Sequence, residues 1–478
     1  MSETYQHDGL RGTLTLTPYI LKTNPPRAGG PTYRIPAELG RLLVPEKRTN
    51  SDSRLIELAF VRLKSTAERP GPPLIFLAGG PGSSGIEAFR SARLQSWLAA
   101  LREVGDVIAL DQRGTGMSVP CLDSCEMLDI PLDRPGNRDE ILEIYRQKSR
   151  ASMAFWQERS VDLSGYTTEE SADDIDALRR ALGYEQVHLY GASYGSHLAL
   201  ATVRRHRNAL ARVMVGMVEG PDHTIKLPSN IQQHLEHINR LVQQDSRLHQ
   251  VIPDLLDMMR SVMERLERDP VMVAVKNKST GKVDNVYIGS FDLQYLTAIG
   301  VASRRSIAYL PSRYHAMIQG DFSWLAGEVL AWRCDWFGSA MTFHMDSASG
   351  ASPERLAQIQ REAPTTLLGD TIDFPFPWIG DAWGNPDLGA AFRAPIQSDI
   401  ATLFISGTLD GRTPPSNAEE VRRGFSNNYH IIVEGAAHST PDQVNVPNVR
   451  AAMIDFLQGK PVTITHASTP FEFVPVEV

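Results

Sequence analysis

The chain has 478 residues, of which 42% are hydrophobic and 22% are charged, and its formal net charge is -8. That composition is ordinary for a globular protein with a substantial core. The negative charge argues against a nucleic-acid partner, because phosphate binding requires clustered Lys and Arg. At roughly 100–200 residues per domain, the length predicts two or three units, or one α/β domain with an insertion.

The N-terminus is polar and acidic and lacks the cationic start and apolar stretch of a signal peptide. Apolar runs fall far short of the ~20 residues of a membrane span. We therefore expect no membrane partner and a cytoplasmic location, with a secreted form whose export signal was removed as the alternative. Cys121, Cys125 and Cys334 are expected to be reduced thiols, with a Cys121–Cys125 disulfide as the alternative.

Short apolar runs alternate with helical patterns from about Leu39 to Val218. One amphipathic segment predicts a helix that begins at Thr167 or Thr168 and ends at Gly183. Strands that alternate with helices predict an α/β fold, in which a mostly parallel sheet is covered on both faces. Six runs predict the successive strands: GRLLVP, RLIELAFVRLKS, PPLIFLAGG, GDVIALDQRG, EQVHLYGAS and LARVMVGMVEG.

The pattern changes after Gly220, where helical periods dominate up to about Pro395. One hairpin-like stretch, VMVAVKNKSTGKVDNVYIG, interrupts them. We predict a helical cap over residues 220–395, inserted between two parts of one core, residues 1–219 and 396–478. In the second part ATLFISG and YHIIVEG predict strands that are separated by a helix.

Ser193 lies in YGASYG, between a predicted strand and a predicted helix. This context fits a nucleophile elbow, a sharp turn that exposes a serine at the end of a strand. Gly191 and Gly195 flank the serine, where strand and helix approach so closely that a Cβ atom would clash. Ser193 is therefore a candidate nucleophile.

A serine hydroxyl becomes nucleophilic when a histidine takes its proton and a carboxylate orients that histidine. Asp410 follows the predicted strand ATLFISG, and His438 follows the predicted strand YHIIVEG. Carboxyl ends of parallel strands meet at one edge of a sheet, where ligands bind. Ser193, Asp410 and His438 are therefore the predicted catalytic residues, and no cofactor or metal is needed.

The glycine run in LIFLAGGPGSSG follows an earlier predicted strand. Backbone N–H groups at such a turn can stabilise the oxyanion that forms on a substrate carbonyl. We predict the N–H groups of Gly80 and Tyr194 for this role. A phosphate-binding loop, the alternative, would end in Lys and Ser or Thr, and this run does not.

Asp111 and Arg113 lie in ALDQRGTGMS, after the next predicted strand. We expect a buried ion pair between them that fixes the loop beneath the glycine run. Contact of Arg113 with a substrate carboxylate is the alternative.

Together GGPG, DQRGTG, YGASYGS, SGTLDGRTPP and GAAH resemble the proline iminopeptidase and tripeptidyl aminopeptidase-like branch of the α/β-hydrolases. The resemblance extends from about Leu39 to the last helix. It implies an α/β-hydrolase fold, a Ser193–Asp410–His438 triad and an oxyanion hole at Gly80 and Tyr194.

Aminopeptidases of this branch hold the free N-terminus of the substrate with acidic residues on the cap side. The resemblance makes Glu219, Asp222 and Asp346 the candidates, and solvated loop acids or helix caps are the alternative for all three. Secreted relatives often have a cysteine followed closely by a glutamate near Asp346, whereas this chain has Met345-Asp346-Ser347.

The sequence thus predicts a serine hydrolase that acts on a small molecule or short peptide through an acyl-enzyme. An aminopeptidase is the leading hypothesis, and an esterase for small or hydrophobic acyl groups is the alternative. A binding protein that has lost its chemistry is a third hypothesis, which a complete triad disfavours. Oligomeric state is not predicted.

Overall fold

The structure is a computed structural model that describes residues 3–6, 13–24, 32–124, 126–277, 281–384 and 386–476. Two sheets occur in this part of the chain. Their strands are β1 (Glu3–Gln6), β2 (Thr13–Lys22), β3 (Arg34–Pro45), β4 (Leu55–Leu63), β5 (Leu74–Leu77), β6 (Val107–Asp111), β7 (Val187–Ala192), β8 (Leu210–Gly216), β9 (Val271–Lys276), β10 (Val283–Ile288), β11 (Thr402–Leu409), β12 (Asn428–Ala437) and β13 (His466–Ser468).

The large sheet has the strand order β1-β2-β3-β4-β6-β5-β7-β8-β11-β12-β13. Neighbours from β6 to β13 run parallel, whereas β1 to β4 and the β4–β6 pair run antiparallel. The predicted α/β class and mostly parallel sheet are confirmed. The prediction missed β2 and the first half of β3, which lie before Leu39. In β2 Leu14, Leu16 and Leu21 are buried and the other described side chains are exposed or half-buried, as in a half-solvated antiparallel strand.

Helices cover both faces of the large sheet, as predicted. The predicted helix starting near Thr167 is α4, whose N-cap Thr167 accepts a hydrogen bond from the Glu170 N–H. The helices of the described residues are α1 (Gly85–Phe89), α2 (Gln95–Arg102), α3 (Arg138–Glu158), α4 (Thr168–Ala181), α5 (Tyr194–His206), α6 (Pro228–Gln244), α7 (Leu255–Arg268), α8 (Ser290–Gly300), α9 (Arg304–Ile318), α10 (Ser323–Arg333), α11 (Ala340–Ser349), α12 (Pro353–Glu362), α13 (Gly389–Arg393), α14 (Pro415–Arg422), α15 (Thr440–Val444) and α16 (Pro447–Leu457).

Alternate residues of the central strands send their side chains into two cores, one on each face of the sheet. Leu189 packs on one face with α4 and α5. The next residue, Tyr190, packs on the other face with Phe76 and Trp97. Two covered faces fix the central strands, so the loops at their carboxyl ends are held at defined positions.

Strands β8 and β11 are neighbours in the sheet, yet α6 to α13 and the β9–β10 hairpin lie between them in sequence. This inserted segment has its own core, in which α6, α7 and α9 contribute Ile238, Met259 and Tyr314. It corresponds to the predicted helical cap, and the hairpin was also predicted. The boundaries 220 and 395 stay a prediction, and we use the word cap for residues 220–395. None of the described helices combines the length and apolarity that crossing a bilayer requires.

Candidate active site

Ser193 occupies a strained turn between β7 and α5. Its backbone has φ 56° and ψ -128°, a conformation that non-glycine residues rarely adopt. A Cβ atom on Gly191 would lie 2.1 Å from the Gly195 carbonyl oxygen, and one on Gly195 would lie 2.0 Å from the Leu77 carbonyl oxygen. Strand and helix can therefore approach this closely only if both flanking residues are glycine.

The structure brings Ser193, His438 and Asp410 into one hydrogen-bonded chain. The Ser193 Oγ lies 2.9 Å from His438 Nε2. The His438 Nδ1 lies 2.9 Å from Asp410 Oδ2 and 3.0 Å from Oδ1. The three residues follow β7, β12 and β11 directly, so they meet at the carboxyl edge of the sheet.

Asp410 is buried and is held by the loop that it starts. Its carboxylate accepts hydrogen bonds from the Arg412 and Thr413 N–H groups at 3.0 and 2.9 Å and from the Thr413 hydroxyl at 2.8 Å. Burial acts to raise the pKa of Asp410, but the interactions with His438 and Thr413 outweigh it and leave that pKa below its usual value. An ionised Asp410 favours the tautomer with a proton on Nδ1, which leaves Nε2 free to accept the proton of Ser193. Thr413 was not predicted, since nothing in the sequence distinguishes it from a turn residue.

The glycine turn lies directly against Ser193. A Cβ atom on Gly79 would lie 2.8 Å from the Ala192 carbonyl oxygen and 3.0 Å from Ser193 Cβ. Gly80 has φ +111°, a region that favours glycine. Tyr194 is the first residue of α5, so its N–H is among those without a partner inside the helix. Gly79, which precedes Gly80, and Tyr194, which follows Ser193, therefore adjoin the serine from two elements. The oxyanion hole at Gly80 and Tyr194 stays a prediction.

Helix α11 connects this turn to the acidic residues of the cap side. The Thr342 hydroxyl donates a hydrogen bond to the Pro81 carbonyl oxygen at 2.6 Å. Asp346 follows four residues later and therefore lies on the same face of the helix, about one turn away. The Ser349 Oγ at the end of the helix lies 3.3 Å from His197 Nε2 of α5. These contacts fix Asp346 relative to the turn.

Glu219 is buried and already has a cationic partner. Its carboxylate lies 3.1 Å from Lys226 Nζ. Burial acts to raise the pKa of Glu219, but Lys226 and His197 lower it further than burial raises it. The Ser196 hydroxyl accepts from the Glu219 N–H at 2.8 Å and donates to the Ser193 carbonyl oxygen at 2.6 Å. Glu219 thus lies beside the elbow as an ion pair.

Asp346 interacts electrostatically with Glu219 and with Asp373, a residue that the sequence analysis missed. Asp346 Oδ1 and Asp373 Oδ2 are buried without a hydrogen-bond partner among the residues that the structure describes. Burial, reinforced by Glu219, raises the pKa of Asp346 well above its usual range. Burial also raises the pKa of Asp373 to about 7, although Lys226 opposes this shift. Asp373 lies in the irregular stretch TIDFPFPW, where no spacing marks a site.

Asp222 differs from Asp346 and Asp373 because both of its carboxylate oxygens have hydrogen-bond partners. Its two carboxylate oxygens accept hydrogen bonds from the Ser352 N–H at 2.7 Å and the Ser352 hydroxyl at 2.6 Å. Ser352 is the N-cap of α12. Asp222 therefore holds the residue that caps α12, which agrees with the helix-cap alternative for this acid.

The expected Asp111–Arg113 ion pair is wrong. Arg113 is buried and pairs with Asp174, with Nη2 and Nε at 2.7 and 2.8 Å from its carboxylate oxygens. Asp111 accepts from the Ser84 hydroxyl and from the Met117 N–H instead. The reason is that the Arg113 side chain extends to Asp174, in the middle of α4. A buried structural role for Arg113 was the preferred interpretation, and its partner was misjudged.

The cysteines do not contribute to the site. Cys121 and Cys334 are half-buried free thiols, and Cys125 lies outside the described residues. No group of three or more His, Cys, Asp or Glu side chains that could hold a metal ion occurs within the described ranges.

Two family descriptions match the chain, and each of them extends into one end of the cap. Residues 72–252 match the alpha/beta hydrolase fold and include Gly80 and Ser193. Residues 380–462 match the TAP-like protein family and include Asp410 and His438. The chain is an α/β-hydrolase. The predicted fold and enzyme family are thus confirmed.

Relatives of this α/β-hydrolase include named peptidases. A tripeptidyl aminopeptidase of Streptomyces coelicolor is 30% identical over 195 residues, which cover 39% of this chain and 36% of the relative. The serine protease Hip1 of Mycobacterium tuberculosis is 30% identical over 37% of this chain and 35% of the relative. The putative hydrolase YuaR of Escherichia coli is 29% identical over 38% and 36%, respectively. The chain thus matches about a third of the length of each relative.

Proposed function

We propose that this α/β-hydrolase is a serine peptidase that cleaves N-terminal residues from short peptides or amino-acid amides. The hydrogen-bonded chain Ser193–His438–Asp410 carries the proposal, because it joins a nucleophile, a base and an orienting carboxylate. The peptidase names of the relatives favour an amide substrate. A cytoplasmic location is part of the proposal.

In the first half of the reaction, Ser193 Oγ attacks the carbonyl carbon while His438 Nε2 takes the hydroxyl proton. The Gly80 and Tyr194 N–H groups donate to the oxyanion that forms. His438 then gives the proton to the leaving amine, so that the C–N bond breaks and an acyl-enzyme remains.

In the second half, water attacks the ester carbonyl of the acyl-enzyme, and His438 takes a proton from that water. Collapse of the second oxyanion breaks the bond to Ser193 Oγ, which recovers the proton from His438. The peptide or amide is thereby split into an acid and an amine, and the enzyme returns to its starting state.

We infer that the amino end of the substrate lies against Asp346 and Asp373. Both residues have a carboxylate oxygen without a partner among the described residues, and a substrate ammonium would supply one. Glu219 contributes less directly, because Lys226 already neutralises it. Asp222 is left out of this role, since both of its oxygens bind Ser352.

One observation favours ester hydrolysis as a second candidate. Lys226 and Arg412 both interact with the acids beside the elbow. Two cations near three acids, two of which have raised pKa values, weaken attraction for a substrate ammonium. An acyl group without a charge would then bind at least as well.

Purified protein should be tested against aminoacyl anilides and short-chain aryl esters, with Ser193→Ala as the inactive variant and Ser261→Ala, on the exposed face of α7, as the matched control. We expect free aminoacyl anilides to be hydrolysed and their N-acetylated forms to be left intact. Equal turnover of free and acetylated anilides, or turnover of esters alone, would favour the second candidate. Turnover of neither class, or activity that survives Ser193→Ala, would refute the proposed function.

A further inference from the structure

His438 and the acids beside the elbow have different surroundings. His438 must reach the leaving amine to protonate it, so the leaving group lies on the His438 side of Ser193. The acids Glu219 and Asp346 lie near the start of α5, where both interact electrostatically with Tyr194 and the Glu219 N–H donates to the Ser196 hydroxyl. The chemistry of the His438 side therefore bears on which leaving groups are accepted.

A cleft of about 560 Å³ adjoins His438 and Ser439. Its opposite wall is the start of α9, including Arg304 and Arg305. The His438 N–H donates to the Ala302 carbonyl oxygen at 3.1 Å, which holds this wall against the histidine loop. The cleft is thus bounded by the core on one side and the cap on the other.

Positive charge predominates in this cleft. Three guanidinium groups, of Arg93, Arg304 and Arg305, line it together with the carboxylates of Asp442 and Glu472. One carboxylate, of Asp442, is paired with Arg93 at 2.7 Å. Neither Arg304 nor Arg305 has a carboxylate within ion-pair distance among the described residues. Arg304 instead donates to the Thr469 hydroxyl at 3.4 Å, and Arg305 lies 5.9 Å from the Tyr309 ring.

We propose that this basic cleft binds a carboxylate on the leaving group, so that the enzyme prefers bonds followed by an acidic residue or by the C-terminal carboxylate of the substrate. Arg304 and Arg305 are the specificity-determining residues. Guanidinium groups suit this ligand because their N–H donors match the two oxygens of a carboxylate. The inference rests on the proposed function, because it takes His438 as the acid that protonates the leaving amine.

Turnover of three peptides that share their first residue tests the proposal and separates the two carboxylate sources. The first has Asp-Ala-amide after the scissile bond, the second has Ala with a free C-terminus, and the third has Asn-Ala-amide. We expect kcat/KM for at least one of the two anionic peptides to exceed that for the neutral peptide by about fivefold at low salt. The preference should shrink as salt is added, because the arginines are partly exposed.

The variants are Arg304→Gln/Arg305→Gln and, in case loss of the Thr469 contact disturbs folding, Arg305→Gln alone. We expect the double variant to lose the preference for anionic peptides while its kcat/KM for the neutral peptide changes less than twofold. Arg268→Gln, at the exposed end of α7, is the matched control and should keep the preference. Equal turnover of anionic and neutral peptides by the wild type would overturn the proposal.

A binding measurement keeps this proposal separate from the proposed function. Acetyl-Asp-Ala-amide, acetyl-Ala with a free C-terminus and acetyl-Asn-Ala-amide are titrated into the Ser193→Ala variant, with and without the two arginine substitutions, and followed by NMR. The proposal is supported if at least one anionic probe binds more tightly than the neutral probe and this difference disappears when both arginines are substituted. That result supports carboxylate binding in the cleft even if no peptide is hydrolysed and the proposed function fails. Binding without any preference, or a preference that survives the double substitution, overturns the proposal.

Discussion

The core side and the cap side of the site differ in how completely their polar groups are paired. On the core side Asp410 accepts hydrogen bonds from His438, Thr413 and Arg412, and His438 in turn reaches Ser193. On the cap side Asp346 and Asp373 each keep a buried oxygen without a partner among the described residues. Fully paired groups hold one geometry, whereas unpaired buried acids are stabilised by a ligand that completes their hydrogen bonds.

This contrast indicates that the core side serves the chemical reaction and the cap side serves the choice of substrate. The core side is organised before any substrate arrives, which is what transition-state stabilisation requires. The unpaired acids Asp346 and Asp373 and the cleft residues Arg304 and Arg305 all belong to the cap. Changes in the core should therefore alter kcat for every substrate, whereas changes in the cap should alter the choice among substrates.

The largest effect is expected from removing the nucleophile. Ser193→Ala should lower kcat by about 10⁴-fold or more for every substrate, since His438 and Asp410 cannot act without the hydroxyl. Steady-state kinetics would measure the loss, and circular dichroism would check that the fold is retained. A loss confined to one substrate class would contradict the assignment of general chemistry to the core.

A smaller loss is expected from Gly79→Ala. The new methyl group would lie 2.8 Å from the Ala192 carbonyl oxygen and 3.0 Å from Ser193 Cβ, so the glycine turn must shift. We expect kcat to fall by about 10²-fold, the effect of losing one oxyanion donor. Gly327→Ala in α10, where a Cβ would have nothing within 4 Å, is the matched control and should leave kcat unchanged.

Asp373→Asn should change substrate choice without changing the chemistry. We expect kcat/KM to fall about tenfold for substrates with a free amino group, because a hydrogen bond to a charged group is lost. N-acetylated or ester substrates should be unaffected. Asp222→Ala is the contrasting variant, which should cost about 1 kcal/mol of stability through the α12 cap and leave the amine preference intact. An equal loss for free and acetylated substrates would place Asp373 outside substrate binding.

The last prediction concerns stability and its dependence on pH rather than catalysis. The pKa of Asp373 is raised to about 7, so the folded protein holds this proton more tightly than the unfolded chain does, where the pKa is about 3.9. The stabilising contribution of the proton is present below pH 4 and is lost as the pH rises to 7. The free energies of unfolding of the wild type and Asp373→Asn, measured with denaturant, should therefore diverge as the pH rises. The variant should become more stable relative to the wild type by up to about 1.4 kcal/mol per pH unit between pH 4 and 7. Parallel pH curves would show that Asp373 titrates normally.

Most of the core side could be predicted because strand order determines it. Ser193, Asp410 and His438 each follow an apolar strand, and carboxyl ends of parallel strands share one edge. The same reasoning located the glycine turn. Thr413 was not predicted, because its hydrogen bonds to Asp410 depend on how the Asp410 loop folds back on itself.

The cap side could not be predicted to the same extent, because its acids come from loops and helices that meet only in three dimensions. Asp373 lies far along the chain from Glu219, and no periodicity links them. Lys226 lies close to Glu219 in sequence and neutralises it, but it was also missed, because the sequence does not show that this loop folds back onto the glutamate. The error at Asp111 and Arg113 has the same origin, because proximity in sequence suggested that they pair, whereas the partner of Arg113 is Asp174 in α4.

The segment after β13 has a consequence for how the protein unfolds. Its residues run from the edge of the core sheet onto the cap, where the Val474 N–H donates to the Ala308 carbonyl oxygen at 2.9 Å. Phe473 is buried in the core of the cap, together with Leu409 and Ala437 at the ends of β11 and β12. The cap therefore cannot melt without exposing the strand ends that carry Asp410 and His438. Cap and sheet should lose their structure in a single cooperative transition, and the site should disappear with it.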